Sequence, residues 1–132
     1  MGSCRIEHIG IVVENLEQSL DLFEALLGLK AAGVKEMAEV GLRVASLQAE
    51  NIRIELLQYT SGGSDFGRRV MGAGTGYNHI AVQVDEMAPV LERWTSAGAR
   101  LQGGFPRAGS HGQVAFFEED STGGILLELC EP

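Results

Sequence analysis

The chain has 132 residues, with 18 Asp and Glu against 10 Lys and Arg and a formal net charge of −8 at pH 7. That length suits one domain or two small modules sharing a core, and 45% apolar with 21% charged residues is a globular rather than a disordered composition. The acidic balance excludes nucleic-acid backbone binding, no apolar run reaches the ~18–20 residues of a membrane span, and two cysteines are too few for a disulfide framework, so a cytoplasmic protein is expected.

Residues 8–14 (HIGIVVE) alternate and read as a strand. A helix follows with Leu16, Leu20, Phe23 and Leu27 on one stripe, Asn15 at its N-cap and Gly28 at its exit. Residues 44–47 and 52–57 read as strands around a turn at Glu50-Asn51. Residues 61–76 are polar and Gly-rich, a connector with a short helix near 66–71. Then the pattern restarts. HIAVQVD at 79–85 repeats the first strand at an offset of 71, and leads into a helix carrying Met87, Val90, Leu91 and Trp94, with Asp85 as its expected N-cap and Gly98 at its exit. Residues 100–102, 113–117 and 125–130 read as strands, separated by Gly103-Gly104, Gly109 and Gly123-Gly124. RIEL at 53–56 aligns with LLEL at 126–129 at an offset of 73. The chain is therefore a duplication of a βαβββ unit, an α+β fold with module one at about 4–60, a connector at about 61–75 and module two at about 76–132.

Strand parity sorts the polar residues. Ile9, Ile11 and Val13 share one face and His8 lies on the other; Ile80, Val82 and Val84 share a face and His79 again lies opposite. In the last strand of each half, Glu55 and Glu128 likewise leave the apolar face. A single strand His or Glu is ordinarily a hydrogen-bonded or solvent-facing residue. Four in matched repeat phase are different. If a pseudo-two-fold relates the halves, two imidazoles and two carboxylates converge into an N/O site suited to one divalent ion such as Co, Mn, Ni, Fe or Zn.

These residues carry a resemblance. His8 to Val13, Leu26-Leu27-Gly28-Leu29, Ile54-Glu55-Leu56-Leu57, Asn78-His79-Ile80-Ala81-Val82, Gly109-Ser110-His111-Gly112 and Gly123-Gly124 running into Leu129 resemble the vicinal oxygen chelate superfamily, the glyoxalase/bleomycin-resistance/dioxygenase fold. Within it the chain is most similar to the methylmalonyl-CoA epimerases. The resemblance implies two βαβββ modules forming a curved mixed sheet around a metal-binding cleft, with His8, Glu55, His79 and Glu128 as ligands of one divalent ion. It implies a metal-stabilised enolate formed on a small-molecule carbonyl or thioester substrate, coenzyme A esters included, and a homodimer. Glu39, two residues before Gly41, becomes a candidate base opposite Glu128, and His111 a candidate substrate contact in its Gly-rich turn.

The chain departs from the epimerase pattern in two places. Asn78 stands where a second His is usual, and Glu118-Glu119-Asp120 replaces a basic stretch, three acids that would repel coenzyme A phosphates if they faced the same opening. Two alternatives stand beside the epimerase: a glyoxalase-type lactoylglutathione lyase, and a small-molecule binding or resistance protein without catalysis. Cys4 and Cys130 are both expected to be small buried hydrophobes, with a redox or metal-poisoning role as the alternative for Cys130, which shares parity with Glu128.

Overall fold

An alternating strand can close one face on a helix and leave the other for polar groups, and both halves of the chain do so. The computed structural model describes residues 4–132. Its elements are β1 (Arg5–Val12), α1 (Leu16–Leu27), β2 (Val34–Met37), β3 (Leu42–Gln48), β4 (Arg53–Tyr59), α2 (Phe66–Met71), β5 (Gly76–Gln83), α3 (Met87–Ser96), β6 (Arg107–Gly109), β7 (Gly112–Phe116) and β8 (Leu126–Glu131). Two 3-10 turns, Ala38–Val40 and Glu119–Ser121, precede β3 and β8. This is an α+β fold with mixed strand pairing. No helix among the described residues is long and apolar enough to cross a membrane.

Contacts divide the chain into two units, residues 8–78 and residues 79–132 together with the stretch ending at Glu7. The strand order β2-β3-β4-β1 in the first is matched by β6-β7-β8-β5 in the second. In each, the strand before the helix pairs in parallel with the last strand, and the other pairings are antiparallel. Even the register repeats: His8 lies opposite Arg53 and Gly10 opposite Glu55, while His79 lies opposite Leu126 and Ala81 opposite Glu128.

The helix stripes found in the sequence form the cores, except that Leu27, expected on the α1 stripe, is 48% exposed because it ends the helix beyond the sheet cluster. Leu16 of α1 packs with Ala45, Leu47 and Leu56, and Leu20 and Phe23 close over them. In the second unit Met87, Val82, Val84, Ala115, Phe117 and Leu129 form the equivalent cluster, covered by Val90, Leu91 and Trp94. Trp94 and Phe117 meet at 5.0 Å between centroids with their planes tilted by 49°.

One strand assignment and one cap need correction, and one strand, 34–37, was not expected. Residues 100–102 form no strand; Leu101 makes an isolated bridge to Phe117, and the edge strand is instead Arg107–Gly109, where Gly109 lets the backbone close on Val114. The strand at 34–37 shows no alternation in the sequence because, as an edge strand, it buries only Met37. The α3 N-cap is Glu86, not Asp85, and it makes no side-chain capping bond. The Glu131 carboxylate on β8 accepts from the Met87 N–H at 2.7 Å instead. The first module uses the same device, Gln58 Oε1 accepting from the Leu16 N–H at 2.8 Å, and adds the expected Asn15 cap on the Gln18 N–H at 2.9 Å. Because α3 has no side-chain cap of its own, Glu131→Ala should cost about 1 kcal/mol and lower the melting temperature by about 3–5 °C, with Glu131→Gln recovering most of it. Thermal unfolding followed by circular dichroism tests this.

The connector is built onto the first unit. Asn78 Nδ2 donates to the Met71 carbonyl at 2.8 Å, Tyr59 OH donates to the Gly72 carbonyl at 2.5 Å, and the Arg68 guanidinium lies 4.7 Å from the Tyr59 ring centroid. Burial raises the Tyr59 phenol above its ordinary range, which keeps it a donor. Gly67 approaches so closely that a Cβ there would meet the Val40 carbonyl at 2.9 Å. The helix thus braces the turn that carries Glu39.

Candidate functional site

Each unit buries one imidazole against one carboxylate. On β1, the parity that puts Ile11 and Val13 toward α1 sends His8 to the opposite face, where it is 3% exposed. On β4 the same parity sends Glu55 there, 4% exposed. His8 Nε2 lies 3.6 Å from Glu55 Oε1. In the second unit His79 and Glu128 are 2% and 5% exposed, and His79 Nε2 lies 3.1 Å from Glu128 Oε1. Phe116, paired in register with Glu128, sets its ring edge-on to His79 at 5.1 Å and 80° and fixes the imidazole plane.

Buried carboxylates are costly unless something positive or protic meets them. The donor spacing fits a cation. Two donors each about 2.1 Å from one ion, at 90–109°, lie about 3.0–3.4 Å apart; the His79–Glu128 pair at 3.1 Å falls in that range and the His8–Glu55 pair at 3.6 Å lies just outside it. Imidazole nitrogen with carboxylate oxygen is also the donor chemistry that suits first-row divalent ions.

Arg53, two residues before Glu55 and therefore on the same face, was not singled out in the sequence. Its guanidinium donates to Glu55 Oε2 at 2.8 Å and lies 3.5 Å from His8 Nδ1. Strand parity with Glu55 was the signal that could have found it, as parity with Glu128 could have found Phe116 across the β7–β8 pair.

The remaining candidates sit differently. Glu39 is exposed, in the 3-10 turn immediately before β3, not on the strand itself. His111 is exposed in the β6–β7 turn, five residues along the chain from Phe116. Cys130 is 5% exposed and packs with Ala81 and Val114, as expected of a small hydrophobe, whereas Cys4, ahead of β1, is exposed and not buried as expected. The acidic stretch is partly neutralised. Arg100 forks onto Asp120 at 2.6 and 2.7 Å and reaches Glu118 at 2.8 Å, so one cation serves two of the three acids.

The family described as the Glyoxalase/Bleomycin resistance protein/Dioxygenase superfamily matches residues 7–117. The chain belongs to that superfamily. An uncharacterized protein of Bacillus subtilis (strain 168) is 31% identical over 129 residues, covering 97% of this chain and 92% of that one. The ethylmalonyl-CoA/methylmalonyl-CoA epimerase of Cereibacter sphaeroides is 30% identical over 128 residues, covering 95% and 96%. Among solved structures, the methylmalonyl-CoA epimerase of Mycobacterium tuberculosis matches with a TM-score of 0.83 at 25% identity, over 97% of this chain and 87% of that one. The fold and its superfamily are thereby fixed, with epimerases among the relatives.

Proposed function

We propose that this protein is a divalent-metal-dependent epimerase that moves a proton on the carbon α to a carbonyl, acting on a thioester of the methylmalonyl-CoA kind. One observation carries the reading: both modules present a buried imidazole–carboxylate pair at the same register position, at 3.6 and 3.1 Å. His8, Glu55, His79 and Glu128 would hold the ion. When bound, such an ion supplies the positive charge that stabilises the anion left by a departing α-proton.

The proton itself is the business of this chain's carboxylates. Inversion needs two of them, on opposite faces of the α-carbon. Glu39 and Glu128 are assigned these roles. One takes the proton from its face as a carboxylate; the other, entering as the carboxylic acid, returns a proton from the opposite face. No atom is gained or lost, and the two groups end with their protonation exchanged. Before the next turnover in the same direction both must return to their starting protonation, one losing a proton and the other regaining one. Glu39, exposed in its turn, can do so directly, whereas Glu128 is buried.

The test is incubation with methylmalonyl-CoA in deuterated water. Deuterium should appear at C2. Glu39→Gln should slow that exchange by about 10²–10⁴-fold, the usual worth of a positioned base, and leave the affinity for Co²⁺ or Mn²⁺ unchanged. Thioester formed from methylglyoxal and glutathione, with no exchange at C2, would instead assign a glyoxalase-type lyase. Ligand binding with neither reaction would assign a non-catalytic binding protein.

A further inference from the structure

The two modules agree at every position of the proposed metal centre except one. His8 and His79 occupy the same register position, and so do Glu55 and Glu128. The residue opposite the histidine is Arg53 in the first module and Leu126 in the second. A guanidinium therefore stands beside one carboxylate where the repeat puts an apolar side chain.

We propose that Arg53 is a positioning residue that sets how Glu55 meets a bound cation; this rests on the metal centre proposed above. The guanidinium donates to Glu55 Oε2 at 2.8 Å, while Oε1 is the oxygen nearer His8 Nε2. With Oε2 committed to Arg53, Glu55 offers one oxygen to an ion. The side chain of Glu55 is 5% exposed and that of Arg53 13%, so water screens the pair little. Two consequences follow from elementary chemistry. A carboxylate limited to one oxygen favours the smaller, low-coordination ions such as Zn²⁺ over the larger, oxygen-preferring Mn²⁺, which accepts a two-oxygen carboxylate readily. The fixed cation also lowers the net charge of the donor set from −2 to −1, which makes the first module the weaker half of the centre.

Arg53→Leu copies the second module into the first and releases Oε2. Calorimetric titration of the purified, metal-stripped protein with MnCl₂ and with ZnCl₂ reads the result. The ratio of Mn²⁺ to Zn²⁺ affinity should rise by about tenfold, within the range that partners of metal ligands typically control. Arg53→Gln keeps a donor for Oε2 without the charge, so both affinities should rise while their ratio stays near that of the wild type. A purely structural role would lower both affinities together in both variants and overturn the inference. So would an unchanged ratio in a folded Arg53→Leu. If Arg53→Leu fails to fold, a rise of the ratio in Arg53→Gln equally overturns it. If the wild-type protein binds neither ion, the metal centre itself has failed, and that result is distinct from an Arg53 variant that binds like the wild type.

Discussion

Glu128→Gln should remove most divalent-ion affinity and nearly all proton exchange, whereas Glu55→Gln should spare much of both. The substitutions are chemically the same and the positions are related by the repeat, so the contrast isolates their roles. At Glu128 the carboxylate is both a proposed ligand and a proposed base, buried at 5% and 3.1 Å from His79 Nε2. An amide oxygen can still ligate weakly, but it accepts no proton at neutral pH. Exchange at C2 should therefore fall by about 10²–10⁴-fold, and ion affinity by at least tenfold or so. At Glu55 the single amide oxygen can take the Oε1 position toward an ion, and the charge lost there is one that Arg53 already offsets, so ion affinity should fall less than at Glu128. The main loss there is in stability, because Arg53 would be left facing a neutral group from a largely buried position. Breaking that charged hydrogen bond should cost about 2 kcal/mol, at the lower end for such pairs because the guanidinium is partly exposed. Deuterium exchange, calorimetry with Co²⁺ or Mn²⁺ and thermal unfolding separate the three effects. Wild-type ion affinity and exchange in a folded Glu128→Gln would end both the ligand and the base assignments.

The legibility of these positions follows from what each depends on. His8, Glu55, His79 and Glu128 were readable because strand alternation is strict and the same polar phase occurs twice in one chain; either half alone would have shown an unremarked His and Glu. The span of α1 was readable because Asn15, the 3.6-residue stripe and Gly28 all agree, and Gly28 does take the left-handed conformation, with φ 70°; only Leu27 of the stripe stays exposed. The α3 cap was not, since its acceptor is Glu131, 44 residues away. No local motif encodes that. The β6 strand failed for a related reason: Arg107–Gly109 is short and lies at a sheet edge, so no buried face imprints a pattern on it. Arg53 was hidden by its chemistry. A charged residue on the face away from the helix reads as solvated until the carboxylate it holds is seen to be buried.

The connector, which composition marks only as polar and Gly-rich, decides where Glu39 stands, and a single methyl group should demonstrate it. Gly41 closes the 3-10 turn that carries Glu39, with φ +73°. A Cβ there would lie 2.0 Å from the Ser64 carbonyl oxygen and 3.1 Å from its carbon. Those atoms are backbone and cannot swing away as a flexible side chain would. They are also held from both sides: the Gly41 carbonyl accepts from the Thr60 N–H at 3.0 Å, and Ser64 Oγ accepts from the Phe66 N–H at 3.1 Å where α2 begins. Gly41→Ala therefore carries two costs, about 1–2 kcal/mol for a side chain in the left-handed region and a further term for displacing the connector, for a total of about 3 kcal/mol or more. Gly63→Ala supplies the control, because Gly63 has φ +76° and nothing within 4 Å of its Cβ position. It should cost only the conformational share. Thermal unfolding of the two variants, referred to the wild type, measures the difference directly: a drop of about 10–15 °C for Gly41→Ala against about 3–5 °C for Gly63→Ala. Equal losses would show that the connector does not press on the turn. At temperatures where Gly41→Ala remains folded, C2 exchange should fall while ion affinity holds, since the shifted turn carries Glu39 and none of His8, Glu55, His79 or Glu128.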